Sequence, residues 1–141
     1  MSTICQRQQG YTTGAVSGPL RVIIADRHAP FRRMLAELLG SEPNVRIVAI
    51  TGDGSEALCQ AEALRPDVIL LDLDLPGVQG LEAARWISSH IPGVRVVLLA
   101  DGDGPEYWAA ARQSGAAAFL AKQRAGEELP NLLNALGTRR S

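Results

Sequence analysis

Short runs of apolar residues alternate along the chain with longer segments of helical periodicity, from Leu20 onward. Several of these runs are apolar at consecutive positions, as is typical of strands in a parallel sheet that is covered on both faces. The pattern predicts five βα units and an α/β fold, a doubly wound five-stranded parallel sheet with helices on both faces. The predicted strands cover residues 20–25, 45–50, 68–71, 94–99 and 117–121.

Apolar side chains recur at helical spacing between the predicted strands, so one stripe of each helix is expected to face the core. The fourth helix is predicted over residues 105–114, because a proline begins it and Gly115 follows it. The fifth helix is predicted over residues 127–136, with Pro130 in its opening turns. Proline is tolerated there only where the amide that it lacks would have had almost no partner.

The length of 141 residues predicts a single domain, which we place at residues 19–138. Residues 1–18 are rich in Gln, Thr, Ser and Gly and are predicted to form a disordered tail, and residues 139–141 a short C-terminal tail. The net charge of −1 provides no general attraction to nucleic acid. Because the sequence has neither an apolar leader nor a stretch of about twenty apolar residues, it predicts a cytoplasmic protein that does not enter a membrane.

Charged residues follow the predicted strands at the end where open parallel sheets bind ligands. These positions are occupied by Asp26 and Arg27, by Asp72, by Ala100 and Asp101, and by Lys122. Three carboxylates and one lysine are therefore expected to converge. Carboxylate oxygens suit Mg²⁺ and a fixed lysine suits a phosphoryl oxygen, so the pattern predicts phosphoryl-transfer chemistry.

Three segments of the sequence resemble the receiver domains of bacterial two-component response regulators, the CheY-like family. They are VIIADRH at residues 22–28, PDVILLDLDLPG at residues 66–77 and FLAK at residues 119–122. Each segment alone is a weak signal, but the three in this order, at the carboxyl ends of strands one, three and five, are a strong one. The resemblance extends over residues 20–137 and implies a flavodoxin-like fold.

The resemblance also implies roles for individual residues in a phosphorelay. Asp72 would be the phosphoacceptor, attacking a phosphohistidine of a histidine kinase, and Lys122 would bind a phosphoryl oxygen. Asp26 and Asp72 would help to hold Mg²⁺, together with the backbone carbonyl of Asp74. The chain would then be a signalling phosphoprotein and not an enzyme.

Arg27 departs from the family pattern, because the family usually has an acidic metal ligand at that position. Two readings stay open. The guanidinium lies near Asp72 and takes over part of the charge of the ion, or it turns to solvent and leaves the pocket one carboxylate short. The side chain of Asp74 would restore some of the lost negative charge. In either case we expect Mg²⁺ binding to be weak or absent.

Ala100 is the second departure, because the family has Thr or Ser there, whose hydroxyl group bonds the phosphoryl group. In the family this bond is coupled to the rotation of an aromatic residue on strand five, which is Phe119 in this chain. With only a methyl group at position 100, the Phe119 ring is expected to stay inward and the switch to be decoupled. Trp108 on helix four is a candidate interface residue, and a homodimer through helix four, strand five and helix five is a further expectation.

Three functional classes follow from these features. A phosphoacceptor receiver is favoured by Asp72, Asp26 and Lys122, and a pseudo-receiver that acts as a phosphorylation-independent interaction module is favoured by Arg27 and Ala100. Nothing specific supports a flavodoxin-like binding protein or enzyme. Because the chain ends soon after the fifth helix, we expect a stand-alone regulator whose partners are a histidine kinase and a downstream protein, without direct binding to nucleic acid.

Overall fold

The computed structural model describes residues 18–102 and 104–138. Strands and helices alternate along this part of the chain. The strands are β1 (Leu20–Ala25), β2 (Val45–Thr51), β3 (Val68–Asp72), β4 (Arg95–Ala100) and β5 (Ala118–Ala121). The helices are α1 (Ala29–Gly40), α2 (Gly54–Leu64), α3 (Gly80–His90), α4 (Pro105–Gln113) and α5 (Ala125–Thr138), and a 3₁₀ turn, Lys122–Arg124, connects β5 to α5.

The strands form one five-stranded sheet in the order β2-β1-β3-β4-β5, and every neighbouring pair is parallel. The winding direction reverses between β1 and β3, so the crevice that binds ligands in such folds lies at the carboxyl ends of these two strands. The predicted doubly wound α/β fold is therefore confirmed.

Alternate residues of the central strands point to opposite faces of the sheet. Ile23, Ile69 and Leu98 pack on one face against helices α2, α3 and α4. Ile24 and Leu70 pack on the other face against α1 and α5. Because both faces are covered, the central strands are apolar at consecutive positions, as the sequence pattern requires.

Several predicted boundaries differ from the structure by one or two residues. Helix α5 begins at Ala125, two residues before the predicted start, because the 3₁₀ turn after β5 leads directly into it. Pro130 consequently lies inside the helix, beyond its first turn. Strand β3 includes Asp72 itself and β4 includes Ala100, so these residues belong to the strand ends.

The two predicted tails lie outside the described residues, apart from Gly18. Within residues 18–102 and 104–138, no helix is both long enough and apolar enough to span a bilayer.

Candidate functional site

Two buried carboxylates lie side by side at the carboxyl end of the sheet. Asp26 directly follows β1, and Asp72 is the last residue of the neighbouring strand β3. Their exposed fractions are 0% and 1%, so neither carboxylate is solvated by bulk water. Two adjacent buried negative charges are unfavourable unless cations or donors compensate them.

Lys122 provides this compensation from β5, two strands away from β3. Its Nζ atom lies 2.8 Å from Oδ2 of Asp26 and 3.3 Å from Oδ1 of Asp72. The side chain is only 14% exposed. Its ammonium also lies 5.1 Å from the centroid of the Phe31 ring. Phe31 is not among the predicted site residues, but it lies in the first turn of α1, close after β1, which places it near the strand ends.

Burial and the neighbouring charges have opposite effects on the pKa values of Asp26 and Lys122. Burial raises the pKa of Asp26 above its ordinary value, although the hydrogen bond from Lys122 and the amide of His28 oppose the rise. For Lys122, burial alone would lower the pKa, but the hydrogen bonds and charges of Asp26 and Asp72 outweigh it and raise the pKa above its ordinary value. Lys122 therefore stays charged throughout the neutral range.

Backbone amides fix the carboxylate of Asp72. The amide of Arg27 donates to Oδ2 at 3.2 Å, and the amide of Asp74 donates to Oδ1 at 3.0 Å. Helix α3 begins in close contact with the same strand end. The space is so small that a Cβ atom at Gly80 would collide with the carbonyl oxygen of Asp72. The carboxylate is thus held in one orientation.

Arg27 directs its side chain towards Asp72, as the first of the two readings expected. The Nε atom of Arg27 lies 3.9 Å from Oδ2 of Asp72, while 55% of the Arg27 side chain remains exposed. A second arginine, Arg32 on α1, donates from Nη1 to the carbonyl oxygen of Asp26 at 2.7 Å. The sequence analysis missed Arg32, because nothing in the sequence distinguishes it from Arg33 beside it.

The other acidic residues do not join the pair. Asp74 and Asp101 both have exposed side chains, and Asp101 lines the cleft beside the buried pair together with Lys122, so the convergence of a third carboxylate stays a prediction. Both residues lie on loops beyond the strand ends, where the sheet does not fix the direction of a side chain. Across residues 18–102 and 104–138, no group of three or more His, Cys, Asp or Glu side chains has the arrangement of a metal site.

The described residues do not fit a Mg²⁺ ion held by carboxylates. Mg²⁺ requires octahedral oxygen ligands and is bound by one or two carboxylates whose negative charge is available to it. Here the two carboxylates are already paired with Lys122, and Arg27 places a permanent cation beside Asp72. A divalent ion would have to displace or overcome these cations.

An open cleft of about 700 Å³ lies beside the carboxylate pair, and Arg27 and Lys122, which both lie close to Asp72, line it. Its lining combines cations, one aromatic ring and one carboxylate, provided by Arg27, His28, Phe31, Asp101, Lys122 and Gln123. The cleft therefore opens next to the two cations of the site and not directly onto the buried carboxylates.

Ala100 and Phe119 lie on neighbouring strands beneath α4. They are 2% and 6% exposed and belong to the same core cluster. The Phe119 ring stacks on Tyr107 at 5.9 Å and meets the edge of Trp108 at 5.0 Å. Half of the Trp108 surface remains exposed, which is unusual for so large an apolar side chain. The roles of Phe119 as a switch and of Trp108 at an interface stay predictions.

A parallel α/β sheet with an aspartate pair and a lysine at its strand ends defines the class of receiver-type domains. A model of the response regulator receiver domain family matches residues 22–134, and the chain belongs to this family. Receiver domains generally bind Mg²⁺ through acidic residues and interact with histidine kinases and effector domains.

Curated relatives carry this domain as part of longer proteins. The DNA-binding transcriptional activator DevR/DosR of Mycobacterium tuberculosis is 34% identical over 122 residues, which cover 86% of this chain and 56% of that protein. The transcriptional regulatory protein DegU of Brevibacillus brevis is 34% identical over 110 residues, covering 78% of this chain and 47% of that protein. The chain thus spans about half the length of these relatives.

Solved structures of receiver domains superpose closely. The signal receiver domain of NarL from Mycobacterium tuberculosis aligns with a TM-score of 0.82 and 32% identity, covering 87% of this chain and 99% of that one. The response regulator domain of CheB from Thermotoga maritima aligns with a TM-score of 0.75 and 26% identity, covering 86% of this chain and 96% of that one. Family and fold therefore agree.

Proposed function

We propose that this receiver domain acts in two-component phosphorelay signalling and that Asp72 accepts a phosphoryl group from a histidine kinase. One observation carries the proposal: the Asp72 carboxylate is fixed by two backbone amides and lies 3.3 Å from the ammonium of Lys122. Lys122 and Arg27 also line the open cleft beside it, from which a donor would approach. A positioned nucleophile beside a fixed cation is what phosphoryl transfer needs.

In the transfer, the protein provides the nucleophile, positions it and stabilises charge. A carboxylate oxygen of Asp72 attacks the phosphorus atom, and the P–N bond to the kinase histidine breaks. The histidine, protonated on its other ring nitrogen, leaves with the electron pair as a neutral imidazole. Lys122 stabilises the charge that develops on the phosphoryl oxygens. Asp26 keeps Lys122 in place through the 2.8 Å ion pair.

We further propose that Mg²⁺ binds weakly or not at all. Arg27 replaces one of the family's acidic ligands, and the exposed side chain of Asp74 is not directed into the carboxylate pair. Asp26 and Asp72 lie together, and the backbone of Asp74 is next to them, since its amide donates to Oδ1 of Asp72 at 3.0 Å.

The output is proposed to pass through protein contacts and not through catalysis by this domain or direct binding to nucleic acid. The exposed ring of Trp108 makes the face of α4, β5 and α5 the candidate surface for a downstream protein or for a homodimer. The sequence led us to expect a stand-alone regulator. This too stays a proposal, since the relatives are longer proteins.

A phosphorylation-independent pseudo-receiver is the second candidate, and Ala100 favours it. The residue is buried at the end of β4 and offers no hydroxyl group to a phosphoryl group on Asp72. A phosphorylated and an unphosphorylated domain would then differ by fewer contacts, and a ligand shifts an equilibrium only by its differential interactions.

Incubation with acetyl phosphate, followed by intact-protein mass spectrometry, tests whether Asp72 accepts a phosphoryl group, which the first candidate requires. We expect the wild-type chain and the Asp74→Asn variant to gain one phosphoryl group and the Asp72→Asn variant to gain none. Asp74 is the matched control, because its carboxylate is exposed and only two residues away. A wild-type chain that is never phosphorylated would exclude the phosphoacceptor function and leave the pseudo-receiver.

A further inference from the structure

We propose that Arg27 makes phosphoryl transfer to Asp72 independent of a divalent metal ion, because its guanidinium takes the place of the ion's charge. This inference rests on the proposed phosphoacceptor function of Asp72 and goes beyond it. It concerns which cation neutralises the transferring group.

The charges around the acceptor are already balanced without a metal ion. Asp26 and Asp72 carry the negative charges, and Lys122 and Arg27 carry the positive ones. Arg32 adds another cation one turn into α1, where it donates to the backbone of Asp26. A divalent ion would enter a pocket whose two buried carboxylates are already paired with cations, whereas a phosphoryl group brings nearly two negative charges to these cations.

The two cations lie on different sides of the acceptor carboxylate. Lys122 is 3.3 Å from Oδ1 of Asp72, and Nε of Arg27 is 3.9 Å from Oδ2. The backbone amide of Arg27 donates to the same Oδ2 atom, so the start of its side chain is fixed at the acceptor. A phosphoryl group attached to either oxygen therefore lies next to a cation.

The exposure of Arg27 suits this role. More than half of its side chain remains exposed, and it lines the open cleft through which a donor must approach. A guanidinium presents several N–H donors in one plane, which match the oxygens of a phosphoryl group in pairs and remain charged at any physiological pH. Arg27 can thus contact the incoming group without first giving up a buried partner.

With acetyl phosphate as the donor, the step balances without a further reactant. A carboxylate oxygen of Asp72 forms a bond to phosphorus, the bond from phosphorus to the acetyl oxygen breaks, and acetate leaves with the electron pair. No proton transfer is needed at neutral pH, because both the nucleophile and the leaving group are carboxylates. Arg27 and Lys122 stabilise the phosphoryl oxygens throughout.

The test compares initial rates of phosphorylation by acetyl phosphate in Mg²⁺ and in excess chelator, followed by intact-protein mass spectrometry. We expect the wild-type rate to change less than about threefold, and the Arg27→Asp rate to fall at least about tenfold on chelation, since a lost charge contact of this kind costs that much or more. Arg27→Gln should be slow under both conditions. Arg85→Asp, the same charge change at an exposed site on α3, should behave as the wild type.

Calorimetry with Mg²⁺ alone provides a readout that does not depend on transfer. We expect no measurable binding to the wild type and clear binding to Arg27→Asp. A wild-type rate that collapses on chelation overturns the inference but leaves Asp72 as the acceptor. A wild type that is inert under both conditions, with an active Arg27→Asp, shows instead that Arg27 blocks the site. If both proteins are inert, the phosphoacceptor function itself fails.

Discussion

Replacing Lys122 by methionine removes the cation from the buried carboxylate pair while keeping most of the side-chain volume. The ammonium lies 2.8 Å from Asp26 and 3.3 Å from Asp72. At an effective dielectric constant of 20, the closer pair alone corresponds to about 6 kcal/mol of attraction, before desolvation is subtracted. Removing one partner of a buried ion pair costs about 3–5 kcal/mol in the free energy of unfolding.

We expect a loss of about 3 kcal/mol at pH 7, at the low end of this range, because Asp26 can take up a proton when its partner is gone. The same protonation gives the loss a pH dependence. Burial already raises the pKa of Asp26, so acidification neutralises the carboxyl group in the folded variant and the difference from the wild type shrinks as the pH falls.

Urea unfolding, followed by circular dichroism at several pH values, measures the loss. Arg85→Met is the matched control, because it removes a cation from an exposed position on α3. Its loss should stay below about 0.5 kcal/mol. The double variant Lys122→Met with Asp26→Asn should recover much of the stability. A loss below about 1 kcal/mol for Lys122→Met, or a double variant no better than the single one, would refute the reasoning.

Three further predictions concern other parts of the site. Gly80→Ala should lower the free energy of unfolding by about 1–3 kcal/mol in thermal denaturation, because its Cβ atom would collide with the carbonyl oxygen of Asp72. Ala100→Thr should make the amide chemical shifts of residues 105–122 respond to phosphorylation more strongly than in the wild type, because it restores a hydroxyl group at the end of β4. Asp26→Asn should flatten the pH dependence of the free energy of unfolding. Because the pKa of Asp26 is raised in the folded state, the folded wild type binds this proton at a higher pH than the unfolded chain does. The stability of the wild type therefore falls as the pH rises through the folded pKa.

Each of these predictions has a control or a contrary outcome. Gly93→Ala adds the same methyl group at an exposed glycine with open space around it, so it should leave stability nearly unchanged. Equal chemical-shift changes in the wild type and in Ala100→Thr would show that the hydroxyl group is not what couples the site to α4 and β5. An unchanged pH slope in Asp26→Asn would mean that another group causes it.

The fold could be predicted because the strands are buried on both faces. Their apolar residues are consecutive, so the runs around Ile24, Leu70 and Leu98 stand out from the helical segments between them. The contact of Asp26 with Asp72 and Lys122 also followed from the sequence, since all three lie at the carboxyl ends of parallel strands. A strand fixes the position of its last residue to within a small region.

Positions beyond the strand ends could not be predicted in the same way. Asp74 and Asp101 both have exposed side chains; Asp101 lines the cleft, but neither residue belongs to the buried pair. The direction of Arg27 depends on a balance between its attraction to Asp72 and its own solvation, which the sequence leaves open. The contribution of Phe31 to the Lys122 environment depends on how α1 packs over the sheet, which is a tertiary property.

The central claim, that Asp72 is the phosphoacceptor, is tested most directly by trapping the acyl phosphate. Borohydride reduction after treatment with acetyl phosphate converts a phosphorylated aspartate to homoserine, which peptide mass spectrometry locates in the sequence. The account predicts homoserine at position 72 and at no other aspartate. Homoserine at Asp26, Asp74 or Asp101, or its absence from every position after treatment, would contradict it.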